Sequence, residues 1–309
     1  MDTEAEARRA RLTLGRLDGV SIDVREGGAV IDVATRAGHA AIALQGAQVL
    51  HWQPAGQSHD VLWLSPLARL GGGKAIRGGI PICWPWFGMH SDTAKPQHGY
   101  ARNAPWRLTA AKRTGEDVHL DFQLAADCAG RDHLDGTAEL RFRVSFGASL
   151  DIALETTNVG AKPLTITQAL HTYLRVGDIS RISISGLDAM TYRDNTDGGR
   201  EKRQAGLVTM PRETVALFDE APATHILTDP VLARRITVTR TGGASTVVWN
   251  PGDAAADMGD IPPSGQRDFV CIESGAIGRA AMLVPPGAAG IIGARYEVTR
   301  GDVSQSRSC

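Results

Sequence analysis

Apolar and polar residues alternate along most of this chain, and the alternating segments are short. A period of two residues is typical of a strand with one buried and one exposed face. Four such segments, mostly separated by glycine-containing turns, follow one another at residues 20–24, 29–35, 39–45 and 47–52. The pattern predicts four consecutive antiparallel strands near the amino terminus.

The same alternation returns through the rest of the chain. It is clear at residues 118–124, 138–146, 150–157, 234–240, 245–250, 268–274, 280–285 and 290–299. These segments bring the prediction to about a dozen or more short strands. Near the amino terminus, residues 4–14 are rich in alanine, glutamate, arginine and leucine and favour a short helix.

Helical segments do not alternate with these strands. No amphipathic pattern of about ten residues or more lies between successive strands, so the strand–helix–strand units of a parallel sheet are missing. We therefore predict an all-β protein built as a large antiparallel β-sandwich. We expect one domain over residues 1–309, with an amino-terminal extension at 1–18 and a carboxy-terminal tail at 301–309.

Composition and charge narrow the classes of function. Of 309 residues, 42% are hydrophobic and 22% are charged, which is typical of a soluble globular protein with a full core. Because 33 basic and 34 acidic residues leave a net charge of -1, no overall field attracts nucleic acid or an anionic membrane surface. No signal peptide is visible, and no apolar run approaches the roughly 20 residues that span a bilayer. We expect a cytoplasmic protein that binds neither nucleic acid nor membranes.

The four cysteines, Cys83, Cys128, Cys271 and Cys309, are widely scattered. They form no CxxC pair and show no metal-ligand spacing to histidine. We expect free thiols in a reducing compartment and no metal site.

Three segments look unlike packing segments, and a fourth joins them. They are KAIRGGIPICWPWFG at 74–88, PQHGYARNAPW at 96–106, QALHTYLRVGDI at 168–179, and VVWNPG at 247–252 followed by FVCIESG at 269–275. In this order they resemble the hexose-6-phosphate mutarotase branch of the aldose 1-epimerase superfamily. The resemblance implies a galactose-mutarotase-like β-supersandwich. It also implies an epimerase that interconverts the α and β anomers of a hexose 6-phosphate, with glucose 6-phosphate the first candidate.

His171 and Glu273 are the candidate catalytic residues. His171 follows a strand-like run at 164–170, where a lone histidine is more often a hydrogen-bonded core residue than a catalyst. Glu273 ends a mostly apolar strand, so its carboxylate must be paired, protonated or facing a cleft, unless that strand end lies in solvent. The resemblance implies that His171 is the general acid for the ring oxygen and Glu273 the general base for the anomeric hydroxyl. It implies neither a metal nor another cofactor.

Two arginines are candidates for binding a phosphate group. Arg77 precedes Gly78 and Gly79, and we expect the missing Cβ atoms to allow close approach of a ligand. Guanidinium groups of Arg77 and Arg102 could together hold a phosphate by bidentate hydrogen bonds, although surface or ion-paired arginines are the ordinary interpretation. The resemblance implies that Arg77, Gln97 and Arg102 bind the substrate.

Other residues in the same segments keep two or three interpretations each. Lys74 lies either near the phosphate or in a solvated turn. His98 orients the substrate, shares the role of the acid, or is a structural loop residue. Trp84, Trp86 and Phe87 either stack on an apolar sugar face or fill the core of the sandwich.

The chain departs from the family pattern at two places. Gly252 ends a WNPG run where relatives commonly have WNPW, so an aromatic contact is missing. Relatives carry an acidic residue that contacts sugar hydroxyls in a later segment, and here Pro222 and Ala223 fall near its place. Asp219 or Glu220 could substitute for it.

The prediction is therefore a monomeric sugar 1-epimerase whose partner is a small sugar phosphate. Two alternatives stay open. One is an aldose 1-epimerase on free hexoses, and the other is a catalytically silent carbohydrate-binding protein on the same scaffold.

Overall fold

A computed structural model describes residues 3–125 and 138–301 of the protein. The chain begins with helix α1, Thr3–Leu14, as predicted. Acidic residues in its first turn and Arg11 in its last turn complement the helix dipole. Three residues of α1 spaced at helical intervals are buried, so one face of the helix packs onto the protein. They are Ala7, Ala10 and Leu14.

The next four strands form a sheet in which each strand pairs with the one before it. They are β1 (Val20–Arg25), β2 (Gly28–Thr35), β3 (Gly38–Ala43) and β4 (Gln48–Pro54). Ile31 of β2 lies opposite Ile22 of β1 and Ile42 of β3, and all three side chains are buried. The pattern in the sequence thus predicted these four antiparallel strands, and β2, β3 and β4 are buried on both faces over much of their length.

A sheet of eight antiparallel strands forms the back of the protein and is called the back sheet below. In spatial order its strands are β13 (Ser183–Ser185), β17 (Thr224–Asp229), β18 (Arg234–Thr241), β22 (Ala289–Arg300), β9 (Leu150–Asn158), β8 (Ala138–Phe146), β7 (Asp117–Leu124) and β6 (Trp106–Thr114). Its central strands alternate strictly between buried and more exposed residues, as the period of two predicts.

A second sheet of eight strands carries the candidate site and is called the site sheet below. In spatial order its strands are β15 (Arg200–Arg203), β14 (Thr191–Asp194), β16 (Thr214–Phe218), β19 (Ser245–Asn250), β20 (Phe269–Ala276), β11 (Gln168–Leu170) and β5 (Ile82–Cys83), with β12 (Tyr173–Arg175) also paired to β20. A short ribbon of β10 (Leu164–Ile166) and β21 (Met282–Val284) completes the strands.

The two large sheets share one hydrophobic core. Phe142 and Leu154 of the back sheet belong to the same buried cluster as Val248 and Ile272 of the site sheet. At roughly 25 cal/mol for each Å² of apolar surface removed from water, this shared cluster is the main stabilising contribution to the sandwich. The prediction of an all-β antiparallel sandwich is confirmed.

Most of the strands that the sequence pattern did not predict are short or exposed, although β6, of nine residues, and β17, of six, were missed as well. β13 to β16 have three to five residues each, and β15 reads Arg-Glu-Lys-Arg with no apolar residue at all. The run at 164–170 divides between β10 and β11, which belong to different sheets. Such strands form because neighbouring strands offer backbone partners, and their own sequences carry little signal.

Some predictions concern residues outside the described ranges. The tail from residue 302 onward, Cys128 and Cys309 lie there, and a single domain over 1–309 stays a prediction. Cys83 and Cys271 are buried free thiols, as expected for them. Within 3–125 and 138–301, no helix has the length and apolar character needed to cross a membrane.

His225 in β17 gives the fold a sensitivity to acid. Its side chain is buried, its Nε2 lies 2.9 Å from Thr246 Oγ1, and burial, aided by Arg240, lowers the pKa of His225 to about 4. The unfolded chain binds a proton at this residue below about pH 6.5, whereas the folded protein does not, so stability is lost as the pH falls. We expect this residue to reduce the free energy of unfolding by up to about 3 kcal/mol between about pH 7 and pH 4.

Urea unfolding of the His225→Gln protein across this pH range tests the prediction. Its stability should fall less steeply with acidification than that of the unmodified protein. His39→Gln, at an exposed position of β3, is the control and should leave the slope unchanged. Equal slopes for His225→Gln and the unmodified protein would contradict the prediction.

Candidate active site

One face of the site sheet forms the floor of a cavity of about 410 Å³. The strand register places Leu217 of β16 opposite Val247 of β19, and Val247 opposite Glu273 of β20. Residues directly opposite one another in an antiparallel ladder share a face, so these three side chains point into the same cavity. Val215 and Trp249, two residues along from Leu217 and Val247, extend the floor.

His171 is held above this floor by the break between β11 and β12. Both strands pair with β20, and His171 and Thr172 span the gap between them. The backbone N–H of His171 donates to the carbonyl of Pro81 (3.0 Å), and the Thr172 hydroxyl bonds the Tyr296 hydroxyl of the back sheet (2.6 Å). Thr172 therefore points into the core while its neighbour His171 lines the cavity.

His171 and Glu273 meet in the cavity. His171 Nε2 lies 3.4 Å from Glu273 Oε1, and the residues are 7% and 1% exposed. The His171 ring stacks on Tyr173, with centroids 4.9 Å apart and planes at 15°, and meets the edge of Trp249. Rings on two sides fix the orientation of the imidazole.

Burial favours the uncharged forms of both groups. It raises the pKa of Glu273 well above its usual value, against an opposing effect of the Arg102 charge. It lowers the pKa of His171 well below its usual value, and His98, Arg102 and Arg77 add to that shift. His171 Nδ1 and Glu273 Oε2 have no hydrogen-bond partner within the described part of the chain. Among the described residues, each member of the pair thus keeps one polar atom without a partner, while Nε2 of His171 and Oε1 of Glu273 face each other.

Arg77 lines the cavity, but two of its nitrogen atoms already donate hydrogen bonds to protein side chains. Its Nε donates to Asp260 Oδ2 (3.0 Å) and one terminal nitrogen donates to the Tyr173 hydroxyl (2.9 Å). Although burial opposes it, these partners raise the pKa of Arg77, so the guanidinium is firmly charged.

The two glycines after Arg77 do not make room for a ligand. A Cβ on Gly78 would collide with the carbonyl oxygen of Trp63, and a Cβ on Gly79 with that of Val49. Both glycines also have positive φ angles, of 109° and 62°. The expectation of close ligand approach here was wrong, because the space is taken by neighbouring backbone.

Arg102 also lines the cavity and differs from Arg77 in its partners. A terminal nitrogen donates to the carbonyl of Gln97 (2.8 Å), and its buried Nε has no partner in residues 3–125 and 138–301. No carboxylate pairs with Arg102 among those residues. Gln97 lies exposed at the cavity rim. Arg102 thus brings an uncompensated positive charge to the cavity.

His98 completes the predicted set in the cavity. Its Nδ1 accepts the backbone N–H of Gly88 (3.1 Å), and its ring meets the edge of Phe87. Burial first, then Arg102 and Arg77, lowers the pKa of His98 to about 3. A neutral His98 that accepts at Nδ1 carries its proton on Nε2, so it can donate a hydrogen bond but holds no positive charge near neutral pH.

The aromatic residues divide between core and cavity. Trp84 is buried in the core and donates to the Thr156 hydroxyl (3.0 Å). Trp86 is half-buried and donates to the carbonyl of Pro96 (2.9 Å), whereas Phe87 lines the cavity. Lys74 is exposed and does not line the cavity.

The acidic residues considered as substitutes lie elsewhere. Asp219 forms an ion pair with Arg193 (2.7 Å) and, with Glu220, lines a separate cavity of about 380 Å³. Gly252 has a φ of 53°, and a Cβ there would collide with the backbone N of Glu213. An aromatic side chain at Gly252 would therefore need a different local backbone.

Several cavity residues had not been singled out from the sequence, and Tyr173, Trp249 and Asp260 are among them. Tyr173 and Trp249 belong to the segments quoted above, and both lie opposite Cys271, in the strands on either side of β20. That Tyr173 shares a face with His171, and Trp249 with Val247, could have been inferred from the period of two. Asp260 lies in an irregular loop, where no periodic signal exists.

Several known proteins are similar to this chain in sequence and fold. The family described as Aldose 1-epimerase matches residues 30–289. Proteins of Salmonella typhimurium and Escherichia coli K12, each provisionally named glucose-6-phosphate 1-epimerase, are 38% identical over 236 and 238 residues. Each match covers 76% of this chain and 79% of the relative. The crystal structure of a provisionally assigned mutarotase from Salmonella typhimurium has a TM-score of 0.87 at 33% identity, covering 92% of this chain and 95% of that one.

The buried carboxyl of Glu273 should weaken the fold at high pH. Because burial raises its pKa in the folded protein, its contribution to stability is present below the unfolded value of about 4.5 and is lost as the pH rises. Glu273→Gln cannot ionise, so we expect it to be more stable than the unmodified protein at about pH 8, with a gain that shrinks towards about pH 5.

Urea unfolding at both pH values measures the effect. Glu139→Gln, at an exposed position of β8, serves as the control and should show no such gain. A Glu273→Gln protein that is less stable at high pH than at low pH, relative to the unmodified protein, would refute the account of this carboxyl.

Proposed function

The chain belongs to the aldose 1-epimerase family, and on that basis we propose that it interconverts the α and β anomers of a hexose 6-phosphate, first of all glucose 6-phosphate. The observation that carries the proposal is the buried contact of 3.4 Å between His171 and Glu273 on the cavity floor. The names of the Salmonella and Escherichia coli relatives support glucose 6-phosphate as the substrate.

Anomer exchange needs one acid and one base at the same carbon. Opening the ring removes the proton from the C1 hydroxyl and adds a proton to the ring oxygen. Rotation about the C1–C2 bond and closure then give the other anomer. We assign Glu273 as the base and His171 as the acid, since each must reach its own oxygen within hydrogen-bond distance. The reaction moves only protons, so the proposal includes no redox cofactor and no metal.

Ring opening takes the pair from its charged form to its neutral form. When the charged pair opens the ring, Glu273 gains a proton and His171 loses one, which leaves both groups neutral. Burial favours this neutral state, as the directions of both pKa shifts indicate. Closure returns the proton from Glu273 to the C1 oxygen, while His171 takes the proton of the ring hydroxyl. One proton shared by the pair therefore serves both directions.

Arg102 supports a phosphate group on the substrate. Arg102 has no carboxylate partner in the described residues, and a phosphate group would supply the missing charge. Arg77 and Gln97 lie on the same cavity wall or rim and are assigned as further substrate ligands. His98, neutral and able to donate through Nε2, is assigned to orient the substrate rather than to act as the acid.

The activity can be measured directly by NMR. Added to freshly dissolved α-glucose 6-phosphate, the protein should accelerate appearance of the β anomer above the uncatalysed rate. His171→Ala and Glu273→Gln should each lose about 100-fold to 10,000-fold in kcat, the usual contribution of a general acid or base. No acceleration by the folded, unmodified protein would leave the silent binding protein as the better hypothesis.

Phosphate specificity should depend on Arg102. In Arg102→Gln we expect kcat/KM to fall by about 10-fold to 100-fold for glucose 6-phosphate, because charged hydrogen bonds to the phosphate are lost. The value for free glucose should change much less. Arg235→Gln, exposed on the back sheet, is the control.

Parallel anomer-exchange measurements on both sugars decide the point. If the unmodified protein has the same kcat/KM for glucose as for glucose 6-phosphate, the alternative of an epimerase for free hexoses is preferred. An equal fall for both sugars in Arg102→Gln would show that Arg102 acts on the reaction centre instead of on phosphate.

A further inference from the structure

Only two carboxylates line the Glu273 cavity in the part of the chain that the structure describes. One is Glu273 itself, which is buried against His171. The other is Asp260, whose side chain is 42% exposed. Sugar hydroxyls need hydrogen-bond acceptors as well as donors, and a carboxylate accepts only. Among the residues that the structure describes, Asp260 is therefore the one carboxylate besides Glu273 that a sugar in this cavity can meet.

The position of Asp260 is fixed by its neighbours. Its Oδ2 accepts from Arg77 Nε (3.0 Å), and its backbone carbonyl accepts from the hydroxyl of Ser65 (2.6 Å). The Ile261 N–H bonds the carbonyl of Met258, which closes the turn that carries Asp260. The second carboxylate oxygen, Oδ1, makes no hydrogen bond within residues 3–125 and 138–301. A side chain held at one oxygen and free at the other is prepared to bind a ligand.

Asp260 is also connected to His171 through a chain of direct contacts. Arg77 joins the Asp260 carboxylate to the Tyr173 hydroxyl, and the Tyr173 ring stacks on His171. A sugar that meets Asp260 is thus placed relative to His171 by a continuous set of contacts.

The charges of Arg102 and Asp260 determine which end of the substrate lies beside each residue. Asp260 compensates the charge of Arg77, whereas Arg102 has no carboxylate partner among the described residues. A phosphate dianion is repelled by Asp260 and attracted by Arg102. The ring hydroxyls, which can donate to a carboxylate, belong on the Asp260 side.

We propose that Asp260 determines sugar specificity by accepting, at its free oxygen Oδ1, a hydrogen bond from one ring hydroxyl of the substrate. Asp219 and Glu220 cannot take this role from their place in the other cavity. The inference rests on the proposed function, because it concerns the sugar of that same reaction. Removal of the accepting oxygen should remove the preference for one particular hydroxyl and leave the preference for the others.

The test compares glucose 6-phosphate with its 2-deoxy, 3-deoxy and 4-deoxy analogues. The ratio of kcat/KM for the parent sugar to that for each analogue is measured by NMR anomer exchange in the unmodified protein and in Asp260→Ala. We expect one analogue to be disfavoured by at least about 10-fold in the unmodified protein and by no more than about 2-fold in Asp260→Ala. The ratios for the other two analogues should stay unchanged.

Two further variants separate this role from a structural one. Asp260→Asn keeps an oxygen for Arg77 Nε but loses the charge, and it should still weaken the preference for the same hydroxyl by at least about 3-fold. Asp257→Asn, exposed in the preceding turn, is the matched control and should keep every ratio.

The outcomes are distinct. A merely structural role of Asp260 would lower kcat/KM for all four sugars together and leave the ratios unchanged, which would overturn the inference while the epimerase activity stands. Absence of anomer exchange in the unmodified protein would instead overturn the proposed function and, with it, the inference.

Discussion

The burial of Glu273 beside His171 is the constraint on which the rest of the site depends. An acid in the middle of a β-sheet, 1% exposed, is tolerated only if it is neutral or shares its proton with a neighbour. His171 provides that neighbour at 3.4 Å, and it is itself held by the rings of Tyr173 and Trp249. The same burial that raises the pKa of the carboxyl opposes the ionised form that a general base needs. Stability and proton transfer therefore impose opposite demands on one residue.

The sandwich supplies the rigidity that this pair requires. β20 lies between β19 on one side and β11 and β12 on the other, so the strand that carries Glu273 is held from both sides. Glu273 itself pairs with Val247 of β19 and faces the break between β11 and β12, where His171 lies. The hydrogen bond between Thr172 and Tyr296 connects the break beside His171 to the back sheet. Gly78 and Gly79 let the segment that carries Arg77 lie directly against neighbouring backbone. Main-chain packing therefore fixes the place of Arg77 in the cavity wall.

The positive charges around the cavity are not equivalent. Arg77 is compensated by Asp260 and bonded to Tyr173, so it organises the wall of the cavity. The buried Nε of Arg102 has no partner in the described part of the chain, and the charge of Arg102 acts on Glu273, His171 and His98. An anion beside Arg102 and a hydroxyl beside Asp260 satisfy both ends of the cavity. The charges that would bind the substrate therefore also affect the pKa values of the groups that would transfer protons.

Much of this could be inferred from the sequence, and the remainder could not, for physical reasons. The period of two in segments such as 138–146 determined strands, buried faces and the all-β class, because alternation is a local property. The four motifs located His171, Glu273, Arg77, Gln97, Arg102 and His98, and all six line one cavity. Only the tertiary structure decided that Asp260 pairs with Arg77, that Asp219 faces another cavity, and that Gly78 admits backbone. Those contacts join residues far apart in the chain, for example 183 positions for Arg77 and Asp260, and no local pattern encodes such a meeting.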